Sequence, residues 1–166
     1  MILIALGANL NSPAGNPETT LRSALSALAA YGIEVLAVSS FYRTPAWPDP
    51  SDPPFVNAVA RIETALSAAD LLQTLHAIEA KFARTRSKPN APRTLDLDLI
   101  DYRGKVADGI PVLPHPRAAE RAFVLVPLAE IAPGWRHPAS GRTVCDLLAA
   151  LPLDAVEAVV PIAPRS

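Results

Sequence analysis

Residues 95–99 read Leu-Asp-Leu-Asp-Leu, an unbroken alternation of apolar and acidic side chains. Side chains on a strand point alternately to opposite faces, so the pattern predicts a strand over Leu95–Tyr102. Leu95, Leu97 and Leu99 then face a core, while Asp96 and Asp98 share the other side. Such a strand needs a sheet around it, and the rest of the chain supplies candidates. Ile2–Leu6 is a short apolar run ending at Gly7, which reads as a buried strand. Asn16 followed by Pro17 is a helix start, Leu21, Leu25 and Leu28 repeat at helical spacing, and Gly32 is a stop. Glu34–Thr44 is rich in β-branched and aromatic residues and reads as a second strand, and Phe55–Thr64 as a third. Ser67 with Asp70 is a variant capping box ahead of a helix whose core stripe is Leu71, Leu75, Ile78 and Phe82.

The order β-α-β-β-α-β predicts an α+β fold: a ferredoxin-like core with an antiparallel sheet and helices on one face. A C-terminal helical extension follows. One helix is expected near Ala118–Ile131 and another from Thr143, where Asp146 closes a second capping box. Val156–Val160 reads as a last short strand. Five of the 18 prolines fall in Pro45–Pro54, which must be a stiff loop because proline lacks the N–H a ladder needs. A linker between domains is the alternative, but the preceding ~44 residues are too few for a stable separate domain.

Composition removes several classes. Half of the 166 residues are hydrophobic and mean hydropathy is +0.22, which argues against disorder. Net charge is −1, so bulk electrostatic attachment to nucleic acid is demoted. A single cysteine, Cys145, excludes an intrachain disulfide and a multi-thiolate metal site. The N-terminus lacks a basic leader and no apolar run approaches the ~18 residues of a membrane span. The expectation is one cytoplasmic domain over residues 1–166, with no nucleic acid or membrane as partner.

Paired carboxylates on one strand face become useful when a hard divalent cation sits between them and a polyphosphate. The bland alternative is a solvated strand face. Arg84, Arg86, Lys88 and Arg93 shift the balance, since they cluster just before the strand in a stretch free of acids. Arginine forks bind phosphate oxygens while carboxylates hold metal, which raises phosphoryl transfer against a merely charged surface. His76 and Glu79, on the flank of the Leu71 helix, read from spacing as a surface pair, and His115 with Arg121 as a weak phosphate-contacting pair. There is no Walker-type loop, dinucleotide fingerprint or nucleophile elbow.

Five segments then carry a resemblance in order: Gly7-Ala-Asn-Leu10, Ser39–Pro45, Pro92-Arg-Thr-Leu-Asp-Leu-Asp-Leu99, Pro114-His-Pro-Arg117 leading to Arg121-Ala-Phe123, and Pro127–Pro133. Together they resemble the 6-hydroxymethyl-7,8-dihydropterin pyrophosphokinase family over residues 1–150. The resemblance implies Mg²⁺- and ATP-dependent pyrophosphoryl transfer to the pterin, with two metal ions held by Asp96 and Asp98. By the same resemblance Arg84 and Arg93 assist the phosphates, and His76, Glu79, Arg86, Leu99, His115 and Arg121 contact ATP. Thr44, Pro45, Trp47, Phe55, Asn57 and Phe123 line the pterin site, with the two phenylalanines sandwiching the ring. The chain departs from the family at Phe55, usually tyrosine, at His76, Val112 and Pro116, and in an 86–93 loop one residue short without an aromatic. A monomer acting on these two small molecules is expected. Two other readings stay open: a different two-metal nucleotidyl-transfer enzyme, and a non-catalytic RNA-binding module on a ferredoxin-like sheet.

Overall fold

The computed structural model describes residues 1–46, 49–83 and 94–163. Six strands form one sheet: β1 (Ile2–Ala8), β2 (Ile33–Val38), β3 (Tyr42–Thr44), β4 (Phe55–Thr64), β5 (Asp96–Tyr102) and β6 (Val160–Pro161). Their order is β5-β1-β4-β3-β6, with β2 also paired to β4 and every pairing antiparallel. The helices are α1 (Pro17–Ala27), α2 (Ala68–Lys81), α3 (Ala122–Ile131), α4 (Val144–Ala149) and α5 (Leu153–Glu157). This is the expected α+β architecture with a ferredoxin-like strand order.

Local signals act where the sequence places them. Asn16 accepts from Thr19 N and caps α1, which continues into a 3-10 turn and ends at Gly32 in the left-handed region, φ 75°. Ser67 accepts from Asp70 N at the start of α2, and Thr143 and Asp146 form a reciprocal capping box on α4.

Each face of the sheet has its own core. Helices α1 and α2 bury Leu21, Ala24, Leu28, Leu71, Leu75 and Ile78 against Ile2, Ile4, Leu6, Leu95, Leu97 and Leu99. The C-terminal segment covers the opposite face, where Val124, Leu125 and Leu128 of α3 pack on Leu3, Ala5, Val59 and Ile100. Helices therefore lie on both faces rather than one. Along the α3 side of β1 the side chains shrink in the order Leu3, Ala5, Gly7, and α3 packs on the Leu3 and Ala5 end.

Three elements differ from expectation. The second strand breaks into β2 and β3 because the Ser39 hydroxyl, not a backbone carbonyl, accepts from Val59 N, which interrupts the ladder. The 118–131 helix is a 3-10 turn and α3, separated at Arg121, whose backbone is extended (φ −109°, ψ 107°). Of Val156–Val160 only Val160 is strand: Pro152 caps the short helix α5 and Asp154 lies in its first turn, and Val160–Pro161 pairs with β3.

Asp101 is 4% exposed beneath the α3 layer, where its carboxylate accepts from Trp135 Nε1 at 2.8 Å and Gly104 N at 2.9 Å. Replacing Trp135 by Phe removes a donor from a buried carboxylate. Urea unfolding should show a loss of about 2 kcal/mol, since the orphaned group keeps its desolvation cost. An unchanged midpoint would mean that water replaces the indole freely.

Candidate functional site

The Gly7 end of the α3 face is built by register. Gly7 of β1 pairs with Asp96 on one side and Asn57 on the other, and Asn57 pairs in turn with Tyr42. One row across four strands thus reads Asp96, Gly7, Asn57, Tyr42. Asp98 lies one step inward, opposite Ala5. Alternation keeps Asp96 and Asp98 on this face, half-buried, while Leu95, Leu97 and Leu99 enter the α1/α2 core, as expected from the sequence.

Gly7 is required here by contact rather than by backbone angle. A Cβ at this position would stand 2.7 Å from Asn57 Oδ1, so the amide lies over the strand only because the side chain is missing. Asn57, 6% exposed, donates from Nδ2 to Thr44 Oγ1 at 2.7 Å, and Thr44 pairs with Phe55. Asn57, Thr44 and Phe55 form one polar and aromatic cluster on the β3–β4 side. Asn9, 3% exposed, donates to Pro53 O at 2.9 Å and ties the turn after β1 to the proline loop.

The α3 side brings the cations. Its extended backbone makes Arg121 the N-terminal cap of α3, and its guanidinium stands 3.7 Å from Asp98 Oδ2 and 5.5 Å from the Phe123 ring centroid. His115 reaches the same place by a different route. A bulge in β5 leaves Ile100 out of register, and the Ile100 carbonyl accepts from His115 N at 2.9 Å. Burial pushes the His115 imidazole below its ordinary value; Arg121 adds to this, Asp96 opposes it and Arg117 contributes a smaller push downward. The ring therefore takes up a proton less readily than a free imidazole, beside a carboxylate and a guanidinium.

Glu79 is not a surface residue. It is 1% exposed, and Oε2 accepts from Leu97 N at 2.9 Å, on the outer edge of β5 between the two acids. His76, on the same helix, is exposed. Leu99 is 3% exposed in the α1/α2 core, which leaves its backbone as the part at the sheet edge. Pro45 is exposed at the start of the proline loop. Trp47 and the basic stretch with Arg84, Arg86, Lys88 and Arg93 lie outside the described residues. Asp96, Asp98, His115, Arg121 and Phe123 thus converge, as do Thr44, Phe55 and Asn57, with Gly7 between the two groups.

Sequence reasoning assigned no role to Glu130. Its carboxylate accepts from Ser40 N at 2.9 and 3.1 Å, from Ser40 Oγ at 2.7 Å and from the Tyr42 hydroxyl at 2.8 Å. Burial, then the hydrogen bond and charge of Glu130, push the Tyr42 phenol up to about 12, so it remains a donor. One signal was available: an acid in the last turn of a helix opposes the helix dipole.

The site is not an RNA platform. Phe41 lies beneath the Arg22 guanidinium on one face, and Tyr42 is 9% exposed against α3 on the other. Base stacking needs exposed rings on one face. Among the described residues no helix is long and apolar enough to cross a membrane.

Comparison with known proteins agrees with this geometry. The profile of the 7,8-dihydro-6-hydroxymethylpterin-pyrophosphokinase family matches residues 3–133. A Synechocystis protein named 2-amino-4-hydroxy-6-hydroxymethyldihydropteridine pyrophosphokinase is 43% identical over 161 residues, 96% of this chain and 80% of its own length. A Methylorubrum extorquens protein of the same name is 42% identical over 158 residues, 94% of this chain and 96% of its own. A third, from Pseudomonas aeruginosa, is 39% identical over 159 residues, 94% of each. With a profile match over most of its length and relatives that align nearly end to end, the chain belongs to the 7,8-dihydro-6-hydroxymethylpterin-pyrophosphokinase family.

Proposed function

We propose that the chain transfers the terminal pyrophosphoryl group of ATP to the hydroxymethyl oxygen of 6-hydroxymethyl-7,8-dihydropterin, a cytoplasmic step of folate biosynthesis. The observation that carries the reading is the row Asp96–Gly7–Asn57. It sets carboxylates suited to a metal–polyphosphate beside an amide suited to a flat heterocycle, with no side chain between them. A bond forms from the hydroxymethyl oxygen to the β-phosphorus. The bond from that phosphorus to the oxygen bridging the α-phosphate breaks, its electron pair leaves with AMP, and the hydroxyl proton is released.

Asp96 and Asp98 fit magnesium, because both offer oxygen ligands, are half-buried and share one face of β5. Among the described residues no group of three or more His, Cys, Asp or Glu stands close enough together to hold a metal ion by itself. This suits an ion completed by substrate phosphates rather than by a protein cage. Two ions are the number the resemblance implies; when bound, they neutralise phosphate charge and favour in-line geometry.

The chain's own groups do the positioning. Arg121, held between Asp98 and Phe123, presents its guanidinium to phosphate oxygens. His115 accepts from Arg117 N at Nδ1, 3.2 Å away, which leaves its other ring nitrogen as a donor to the nucleotide. Glu79 steadies β5 between the acids through Leu97 N, and His76 and Leu99 join the ATP side by resemblance. The bond to Thr44 orients Asn57 toward the amide edge of the pterin, and Phe55 and Phe123 hold the ring by its faces. Pro45 and Trp47 complete the pterin wall, and Arg84, Arg86 and Arg93 the phosphate side. Every residue used belongs to one chain, so a monomer suffices.

The deciding experiment is an AMP-release assay with ATP and Mg²⁺, with and without the hydroxymethyl pterin. AMP and pterin diphosphate should appear only when the pterin is present. Free pyrophosphate as product would instead select the nucleotidyl-transfer alternative. Asp96→Ala and Asp98→Ala should each lower kcat by roughly a thousandfold with an unchanged circular dichroism spectrum. Near-normal turnover by either variant would remove the metal assignment.

Gly7→Ala drives a methyl group into the Asn57 amide. The KM for pterin should rise by about tenfold, the scale of a hydrogen bond lost from a preorganised site, while the KM for ATP changes little. Equal shifts in both constants would show that the variant disturbs the sheet as a whole.

A further inference from the structure

We infer that Glu130 is a positioning residue for the pterin site, setting the gap between the strand pair that carries Thr44, Phe55 and Asn57 and the helix that carries Phe123. The inference rests on the proposed function and deepens it. Phe123, Val126 and Glu130 lie at helical spacing along one stripe of α3, and Phe123 and Val126 pack against the cluster of Tyr42, Ala122 and Val159. Two turns, roughly 10 Å, separate the ring at the start of the stripe from the carboxylate near its end. At that end Glu130 grips three donors that all belong to the β2–β3 junction: Ser40 N, Ser40 Oγ and the Tyr42 hydroxyl.

That junction is where a hold is needed. Ser39 interrupts the ladder, so β3 is a three-residue strand, and β6 adds only two paired positions on its other side. Tyr42 pairs with Asn57, and Thr44, two residues on, pairs with Phe55 and accepts from Asn57. Whatever sets the height of Tyr42 above the sheet therefore sets Thr44 and Asn57 as well. A charged acceptor with several donors is stronger than a neutral bond, and here it works against the unfavourable helix dipole. Hydrophobic contact between Tyr42 and α3 supplies area without direction, whereas the carboxylate supplies direction.

The test separates the two substrates. In Glu130→Ala the KM for pterin should rise by about tenfold and the KM for ATP by no more than about twofold, as misplacement of one wall implies. Glu130→Gln, which keeps an amide oxygen for Ser40 but loses the charge, should fall between Glu130→Ala and wild type. Tyr42→Phe should raise the pterin KM by itself and add little in the double variant with Glu130→Ala, because both remove one linkage. A thermal midpoint measured on each variant identifies loss of stability. If Glu130→Ala does not fold, the Gln and Phe variants decide by the same split. A pterin KM that stays within twofold of wild type, or that rises equally with the ATP KM, overturns the inference. Wild-type chain that releases no AMP with pterin overturns the functional reading and this inference with it; wild-type turnover with an unmoved pterin KM overturns the inference alone.

Discussion

The taper of β1 is the constraint on which the site depends. Leu3, Ala5 and Gly7 face α3 in succession, so the central floor of the sheet loses height step by step toward one end. Where the floor is high, α3 rests on it and a second core forms. Where it is flat, neighbouring strands contribute polar side chains that lean inward over bare backbone. Had Gly7 carried a methyl group, the Asn57 amide would have met it at 2.7 Å. The proposed site is thus defined by subtraction on β1 and by addition on β4 and β5.

The second helical layer determines which side chains reach that end. The α1/α2 layer is apolar apart from Thr20 and Glu79, and it packs on the alternating residues of β1, β4 and β5. The α3 layer is interrupted beside the acid pair. Arg121 breaks the helical run with extended backbone, which turns its side chain toward Asp98. The bulge at Ile100 gives the strand a spare carbonyl, and the loop bearing His115 docks on it. Both irregularities deliver polar groups to the acid pair without distorting either core, as bulges beside active sites commonly do.

Much of this was legible in the chain, for reasons that can be named. Asn16, Ser67 and Thr143 cap helices through bonds to residues three positions on, so a local reading captures them. The Leu95–Leu99 alternation carries its own burial pattern. The family resemblance added the pairing of acids with Asn57 and the phenylalanines. Long-range bonds could not be read in this way. The break at Ser39 depends on Val59, and its companion Ser40 is held by Glu130, 90 residues distant. Glu79 looks like a surface acid at helical spacing because its partner is a backbone N–H on another element. Val156 was drawn toward strand by β-branched composition, although Pro152 starts a helical turn just before it.

Glu79 and His115 have a further effect through their backbone partners. β5 is the edge of the sheet, and an edge strand presents unpaired donors and acceptors to any other chain. Here Glu79 occupies the outward N–H of Leu97, and His115 N occupies the carbonyl of Ile100. An incoming strand would have to displace a buried carboxylate at one position and an entire loop at the other. The groups that frame the acid pair thus also cover two positions of an exposed strand edge, so the same bonds bear on how the chain meets other chains.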